Sequence, residues 1–271
     1  MRLLVAGADR VDAGKTTFST GLLARIGGTG YKPRAGNDYW FDHDDCLTAL
    51  SEGRLYGKDA NRLAAASAGE HHPEDINPVH RLWRPARGGE GGLIGRDDRS
   101  FVLDRVDGTF VRNAAARVPD RVERALPLSG ATTVETVRDL NAVTRERYFP
   151  AFERLTERIA ATDRAVVESY GDVASPLQGL AVDAVAVVEP GQARVYDGQR
   201  WATACEVASG SVGTDPGAGS LEQRVPDVEG HLSPVANVEL PPLPAEDRGN
   251  PAAVADAYEV AYDAVVAAAL D

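Results

Sequence analysis

Gly7-Ala8-Asp9-Arg10-Val11-Asp12-Ala13-Gly14-Lys15-Thr16-Thr17 follows the apolar run Leu3-Leu4-Val5-Ala6 and leads into Phe18 to Ile26, where apolar residues recur at helical spacing. Strand, glycine-bounded loop, Gly-Lys-Thr-Thr and helix, in that order, are the layout of a nucleotide phosphate loop. Backbone N–H groups of such a loop, together with the start of the helix behind it, hold phosphate oxygens. On this reading Asp9, Arg10, Val11, Asp12, Ala13, Gly14, Lys15, Thr16 and Thr17 surround the phosphates. Lys15 is the point charge on the terminal phosphates, and the Thr16 hydroxyl is a ligand for Mg²⁺. The spacing is unusual: Asp9 stands where a glycine is standard, and the nearest upstream glycine is Gly7.

Composition bounds the rest. The 271 residues suffice for one large α/β core with a small appendage. Acids outnumber bases 41 to 29, a formal net charge of −12. Lysine occurs only at Lys15, Lys32 and Lys58; the other 26 bases are arginine. An acidic, lysine-poor, alanine- and valine-rich chain resembles proteins of a high-salt cytoplasm. The charge argues against a nucleic-acid partner, which calls for a basic patch. The two cysteines, Cys46 and Cys205, lack metal-ligand spacing and read as buried free thiols. No apolar run reaches membrane-spanning length, and the first strand begins too early for a signal peptide. The expectation is a cytoplasmic protein with no membrane partner.

Further along, Tyr31-Lys32-Pro33 reads as extended, and Cys46–Glu52 and Asp59–Ala68 as helices. Residues 77–84 read as extended and 86–99 as an exposed loop. Phe101–Val111 reads as a hairpin turning at Asp107-Gly108. Thr133–Ala161 has the spacing of one long helix, or of two broken at Pro150. Arg164–Glu168 and Asp183–Val188 read as buried strands, 193–208 as a hairpin turning at Asp197-Gly198, and 209–250 as loop with one extended piece at Ala236–Leu240. Pro251–Leu270 reads as a closing amphipathic helix. The expected fold is α/β: a mostly parallel sheet flanked by helices on both faces, with small hairpin additions. It is read as a single domain over 1–271, with 86–130 as a candidate insertion and 191–250 as a hairpin and loop-rich region.

Three further segments place polar residues where such a sheet binds ligands, at the carboxyl ends of its strands. The first joins Tyr31-Lys32-Pro33 to Asn37, Asp38, Asp42, Asp44 and Asp45. Lys32 is expected in the cleft facing Lys15, because lysine is a compact charge that fits beside a γ-phosphate where arginine does not. The aspartates are candidate Mg²⁺ ligands, or solvated loop residues of an acidic chain. The second is Asp75-Ile76-Asn77-Pro78-Val79-His80-Arg81-Leu82-Trp83-Arg84-Pro85; its histidines, with His71 and His72, lack a matching ligand set. The third is Ala165-Val166-Val167-Glu168-Ser169-Tyr170-Gly171-Asp172, where Glu168 ends an apolar strand and is a candidate to hold Mg²⁺ or its waters.

Taken in order, these segments resemble the dethiobiotin synthetase and cobyrinate-diamide/cobyric acid synthase group of phosphate-loop proteins. The matching motifs are the long loop, Tyr31-Lys32-Pro33, Asp75-Ile76-Asn77-Pro78-Val79 with Arg84-Pro85, and Val167-Glu168-Ser169-Tyr170-Gly171 with Ser175-Pro176, over roughly residues 1–190. The resemblance implies that Lys15 and Lys32 flank the γ-phosphate and an acceptor carboxylate. It also implies that Thr16, Glu168 and one of Asp42, Asp44 and Asp45 hold Mg²⁺, with Asp45 preferred, and that Asp12 occupies a loop position often acidic in dethiobiotin synthetases. Ser169 and Tyr170 replace the family's Gly-Ala, Gly36 stands where a substrate-binding serine is usual, and the amidotransferase domain with its Gly-x-Cys-x-Gly nucleophile is missing. Arg10, four residues before Gly14, stands where the dimerising branch of phosphate-loop ATPases has a signature lysine. It reads as a charge clamp of a homodimer or as a surface residue.

The expected function is Mg²⁺-dependent binding of a nucleoside triphosphate, with hydrolysis or phosphoryl transfer to an unidentified small-molecule acceptor. ATP is favoured over GTP because Asn-Lys-x-Asp is absent. The alternative is a regulatory or assembly ATPase or GTPase acting on a protein partner. A polynucleotide 5′-kinase, suggested locally by Val11–Thr17, fits the net charge least.

Overall fold

The computed structural model describes residues 1–8, 14–86, 93, 98–210 and 222–270. They gather into two compact units: Met1–Pro33, Arg62–His71 and Thr156–Asp271 form the first, Arg34–Asn61 and His72–Leu155 the second. The second unit is wider than the 86–130 stretch that the sequence sets apart.

In the first unit, β1 (Arg2–Gly7) leads to α1 (Lys15–Ile26) and β2 (Thr29–Tyr31). The second unit contributes β3 (Arg34–Asp38), α2 (His43–Ser51), α3 (Lys58–Ala66), α4 (Pro73–Ile76), β4 (Val79–Pro85), β5 (Arg99–Val106), β6 (Thr109–Asn113), α5 (Asp120–Ala125), β7 (Thr132–Val134), α6 (Val137–Val143) and α7 (Phe149–Ala160), the boundary between units falling within α3 and α7. The chain then completes the first unit with β8 (Ala165–Glu168), β9 (Ala184–Glu189), β10 (Gln192–Asp197), α8 (Gly198–Ala208), α9 (Val225–Glu229), β11 (Ala236–Glu239), α10 (Pro251–Ala257) and α11 (Glu259–Leu270).

The first sheet runs β11-β10-β9-β1-β8-β2. β1 pairs in parallel with β8 and β9, and β2 with β8, whereas β10 is antiparallel to both β9 and β11. The second sheet runs β3-β4-β5-β6-β7, parallel at β3–β4 and β6–β7 and antiparallel between. The mostly parallel sheet expected from the sequence is thus corrected: the protein is α/β with two mixed sheets flanked by helices. The reason is local. Pro190-Gly191, with Gly191 at φ 84°, turns β9 back at once, and a connection that short can only join antiparallel neighbours.

The same turn explains a second correction. Asp197-Gly198 is no hairpin turn; it begins α8. The Asp197 carboxylate accepts the Arg200 N–H as an N-cap. Gly198 is a glycine for space, since a Cβ there would lie 1.9 Å from the Val182 carbonyl oxygen. A third correction falls in Thr133–Ala161. Thr133 and Val134 belong to β7, and the helix starts only after Thr136, whose side chain forms a capping box with Asp139. Pro150 leaves the helical run intact but widened: Thr144–Tyr148 is one π-helical turn, closed by the Phe149 N–H on the Thr144 carbonyl. Proline lacks the N–H for the ordinary bond and its ring displaces the carbonyl four residues back. Lastly, Pro251–Leu270 is two helices that meet at Tyr258.

The first core is built on strands buried on both faces, Leu3–Ala6, Ala165–Val167 and Ala184–Val187. α1 packs closely against α10 and α11 at Gly21, where a Cβ would meet Tyr262 Oη at 2.4 Å, and the Tyr262 hydroxyl donates to the Phe18 carbonyl. The second core joins Cys46, Leu50, Leu55, Leu82, Leu103, Phe110 and Val122. Both cysteines are free and buried, and burial pushes the Cys46 thiol up to about 12.

The second sheet also buries charge. On one face Arg81 makes a two-pronged pair with Asp104, at 2.8 and 2.6 Å, and the Tyr148 hydroxyl donates to the same carboxylate. Burial alone would lower Arg81, but the Asp104 charge outweighs it and holds the guanidinium above its ordinary value. On the other face His80 and Arg105 are cross-strand neighbours. Arg105 donates to the Leu55 and Asn77 carbonyls, both at 2.7 Å. His80 is fully buried and, among the described residues, neither ring nitrogen has a hydrogen-bond partner. Burial first, and the Arg105 charge second, bring its pKa down to about 3.

A pH dependence follows. The unfolded chain protonates His80 near pH ~6.5, while the folded chain resists protonation until about pH 3. Stability is unaffected by His80 above the unfolded value and falls as pH drops below it, by up to ~1.4 kcal/mol per pH unit. His80→Leu should therefore lose about 2 kcal/mol less than the native chain between pH ~7.5 and ~5, as read from denaturant unfolding followed by circular dichroism. Parallel curves for the two proteins would show that His80 is not the titrating group.

Candidate functional site

β1, β8 and β2 are parallel neighbours, so their carboxyl ends share one edge of the first sheet. At that edge the chain leaves β1 for the loop before α1, leaves β2 at Lys32, and ends β8 at Glu168. The pairing of Tyr31 with Val167 puts Lys32 beside Glu168 in register. The chain beyond β8 stays tied to the sheet, the Ser169 N–H donating to the Val5 carbonyl at 2.9 Å.

One carboxylate organises the edge. Glu168 is fully buried, and its Oε1 accepts from the Thr16 hydroxyl at 2.8 Å and from the Lys32 ammonium, itself buried, in a short ion pair. Its other oxygen, Oε2, is buried without a hydrogen-bond partner among the described residues. A buried carboxylate oxygen left unmet costs free energy comparable to a lost hydrogen bond, and such an atom calls for an explanation. Lys15, the first residue of α1, is also buried, and its Nζ donates to the Gly171 carbonyl at 2.9 Å. Gly14 precedes it in the left-handed region, φ 80°, with open space where a Cβ would stand. Among the described residues no side chain caps α1, and its first turn holds no acid.

The loop after β8 is pinned from within. The Ser169 hydroxyl donates to the Val173 carbonyl at 2.5 Å, so this larger replacement for glycine points into the loop itself. Tyr170 donates its hydroxyl to Glu222. Asp172 pairs with Arg224 at 2.5 Å, and the Val225 N–H donates to the Asp172 carbonyl at 2.8 Å. Sequence reasoning passed over Arg224. The only signal for it is a lone basic residue close to Asp227 and Glu229, which reads as surface.

The structure brings Lys15, Thr16, Lys32 and Glu168 into one unit, and joins Thr16 and Lys32 directly through Glu168. Lys32 is engaged with that carboxylate. Asp9, Arg10, Val11, Asp12 and Ala13 lie outside the described residues. Thr17 follows in the first turn of α1, and its carbonyl accepts the Thr20 hydroxyl. Asp42, Asp44 and Asp45 belong to the second unit, where Asp45 pairs with Lys58 at 3.4 Å and Asp42 accepts the Asp38 N–H. Gly36 is also there, and a Cβ would press on the Arg81 carbonyl at 2.9 Å, so β4 excludes a serine from that position. Among the described residues no group of three His, Cys, Asp or Glu side chains is placed to hold a metal ion. No helix among them is long and apolar enough to cross a membrane. Comparison of the chain with protein-family models, with curated proteins and with solved structures finds no match.

Breaking a buried ion pair from one side strands the other charge. Lys32→Met and Glu168→Gln should each destabilise the fold by ~3 kcal/mol. The double variant should cost well under the sum of the two, because neither charge is then left alone. Additive losses in a denaturant double-mutant cycle would mean that the two side chains do not interact in solution.

Proposed function

We propose that the chain binds a Mg²⁺–nucleoside triphosphate, with ATP preferred, at the amino end of α1, and uses it for hydrolysis or for phosphoryl transfer to a small-molecule acceptor. The observation that carries this reading is the Glu168 carboxylate. It lies at the carboxyl edge of a parallel strand pair, it is hydrogen-bonded to the threonine of Gly14-Lys15-Thr16, and it keeps one buried oxygen unmet. The donor set fits a hard, oxygen-seeking dication of small size. Mg²⁺ is usually held by one or two protein oxygens and completes its shell with water and phosphate, so a cage of three acids is not required. Thr16 and Glu168 are the residues that would hold it. When bound, the ion neutralises charge on the phosphates.

The chain's own residues supply the rest. Lys15 exchanges the Gly171 carbonyl for a phosphate oxygen, a stronger, charge-assisted partner. The uncapped first turn of α1 orients the phosphate oxygens. Lys32 pairs with Glu168 and holds it in place, and presents a second positive charge at the same edge. The likeness of Tyr31-Lys32-Pro33 and Val167-Glu168 to the dethiobiotin synthetase group supports the same reading and suggests an acceptor bearing a carboxylate.

Lys15→Ala should remove ATP binding by calorimetry in the presence of Mg²⁺ while the far-ultraviolet spectrum stays native, and unchanged affinity would end the phosphate-loop reading. Lys32→Arg should keep ATP binding within a few-fold and lower turnover by about tenfold or more, because a planar guanidinium cannot replace a compact ammonium against Glu168. Full turnover in that variant would remove Lys32 from the chemistry.

A further inference from the structure

The second unit carries a surface feature that this reading does not use. Between β3 and α2 the chain runs Asp38-Tyr39-Trp40-Phe41-Asp42. Trp40 is 74% and Phe41 80% exposed, the two most exposed of the chain's aromatic residues among those described. Loose loops expose side chains readily, but this turn is held from both sides. The Asp38 carboxylate accepts the Trp40 and Phe41 N–H groups at 2.8 and 3.3 Å, and the Asp42 carboxylate accepts the Asp38 N–H at 2.8 Å. The Tyr39 N–H donates to the Trp83 carbonyl at 2.7 Å, and the Tyr39 ring packs against the second core and edge-on to His43. Tyr39 is the inward anchor; its two neighbours are turned out to water.

Exposing two large apolar rings side by side is unfavourable unless something covers them. A turn already fixed by its own hydrogen bonds loses little conformational entropy when that happens, which is the property of an interface anchor. The charge around the rings selects the occupant. Asp42, Asp44 and Asp45 lie at the end of the turn and in the first turn of α2, none of them buried and Asp44 exposed, and among the described residues the one ion pair formed with them is Lys58 with Asp45. Nucleic acid and anionic lipid would be repelled. So would a second copy of a chain with net charge −12. A guanidinium suits the surface on both counts, because it stacks on aromatic faces and pairs with carboxylates.

We propose that the Trp40–Phe41 turn is the docking anchor for an arginine-bearing segment of another protein, its guanidinium groups stacked on the two rings and paired with the surrounding aspartates. The proposal stands independently of the nucleotide reading.

The test uses the full chain and acetyl-nona-arginine amide with a fluorescent label, followed by anisotropy at about 50 mM salt, where surface charge is weakly screened. Any acidic protein attracts such a peptide, so the deciding variant leaves the charge unchanged. W40A/F41A should weaken binding by about tenfold or more, whereas Trp40→Phe should retain most of it. Nona-lysine should bind more weakly and respond little to W40A/F41A, since an ammonium does not stack as a guanidinium does. Equal affinity of the native chain and W40A/F41A for nona-arginine would overturn the proposal. So would self-association, or binding to phosphatidylserine vesicles, that the same variant abolishes.

Discussion

The arrangement at the sheet edge depends on a single buried carboxylate. Glu168 is wholly removed from water, and an ionised carboxylate there is tolerable only with partners supplied by its surroundings. Lys32 and Thr16 supply them, both to the same oxygen. Through that oxygen the end of β8 fixes the position of the residue after β2 and of the first turn of α1. Three segments far apart in sequence thus meet at one atom. A buried ion pair of this kind is a poor source of net stability, because desolvation offsets much of the attraction. What it provides is a fixed geometry, with one oxygen of the pair left over.

The second unit treats buried charge in two ways. Asp104 is fully satisfied by the two prongs of Arg81 and the Tyr148 hydroxyl, and burial with that neighbouring charge pushes the Tyr148 phenol well above its usual value. Arg105, its neighbour on the opposite face, forms no ion pair among the described residues and leans on carbonyl oxygens. Its guanidinium falls to about 10, chiefly through burial. Such a network is strict about its neighbours: it keeps His80 neutral, and Gly57, where a Cβ would sit 2.4 Å from Asn37 Oδ1, has to remain a glycine.

Much of the first unit is legible in the sequence, because its signals are local. β1, α1 over Lys15–Ile26, β8 and β9 follow from apolar runs and from glycines at their ends. Glu168 ends such a run, and Thr16 stands in the first turn of α1. Elements whose identity depends on tertiary context are not legible in this way. Asp197-Gly198 has the composition of a hairpin turn, yet Gly198 is needed for its closeness to Val182, a contact invisible in one dimension. The helical spacing of Thr133–Ala161 conceals a strand, although Thr136 and Asp139 form the capping box that marks the helix start. The aspartates after β3 look like ligands in a sequence, where all acids are alike; in the structure Asp38 and Asp42 serve their own turn.

The proposed nucleotide reading requires Glu168, Thr16 and Lys15 to act as one phosphate and metal site. A crystal structure of the chain with Mn²⁺ and a non-hydrolysable ATP analogue tests it most directly, because the anomalous signal of manganese locates the ion without assumption. The expected result is the ion on the Thr16 hydroxyl oxygen, with Glu168 Oε2 bound to it directly or through one water, and Lys15 moved from the Gly171 carbonyl to the phosphates. An ion and nucleotide bound elsewhere, with the Lys15–Gly171 and Thr16–Glu168 hydrogen bonds undisturbed, would contradict it.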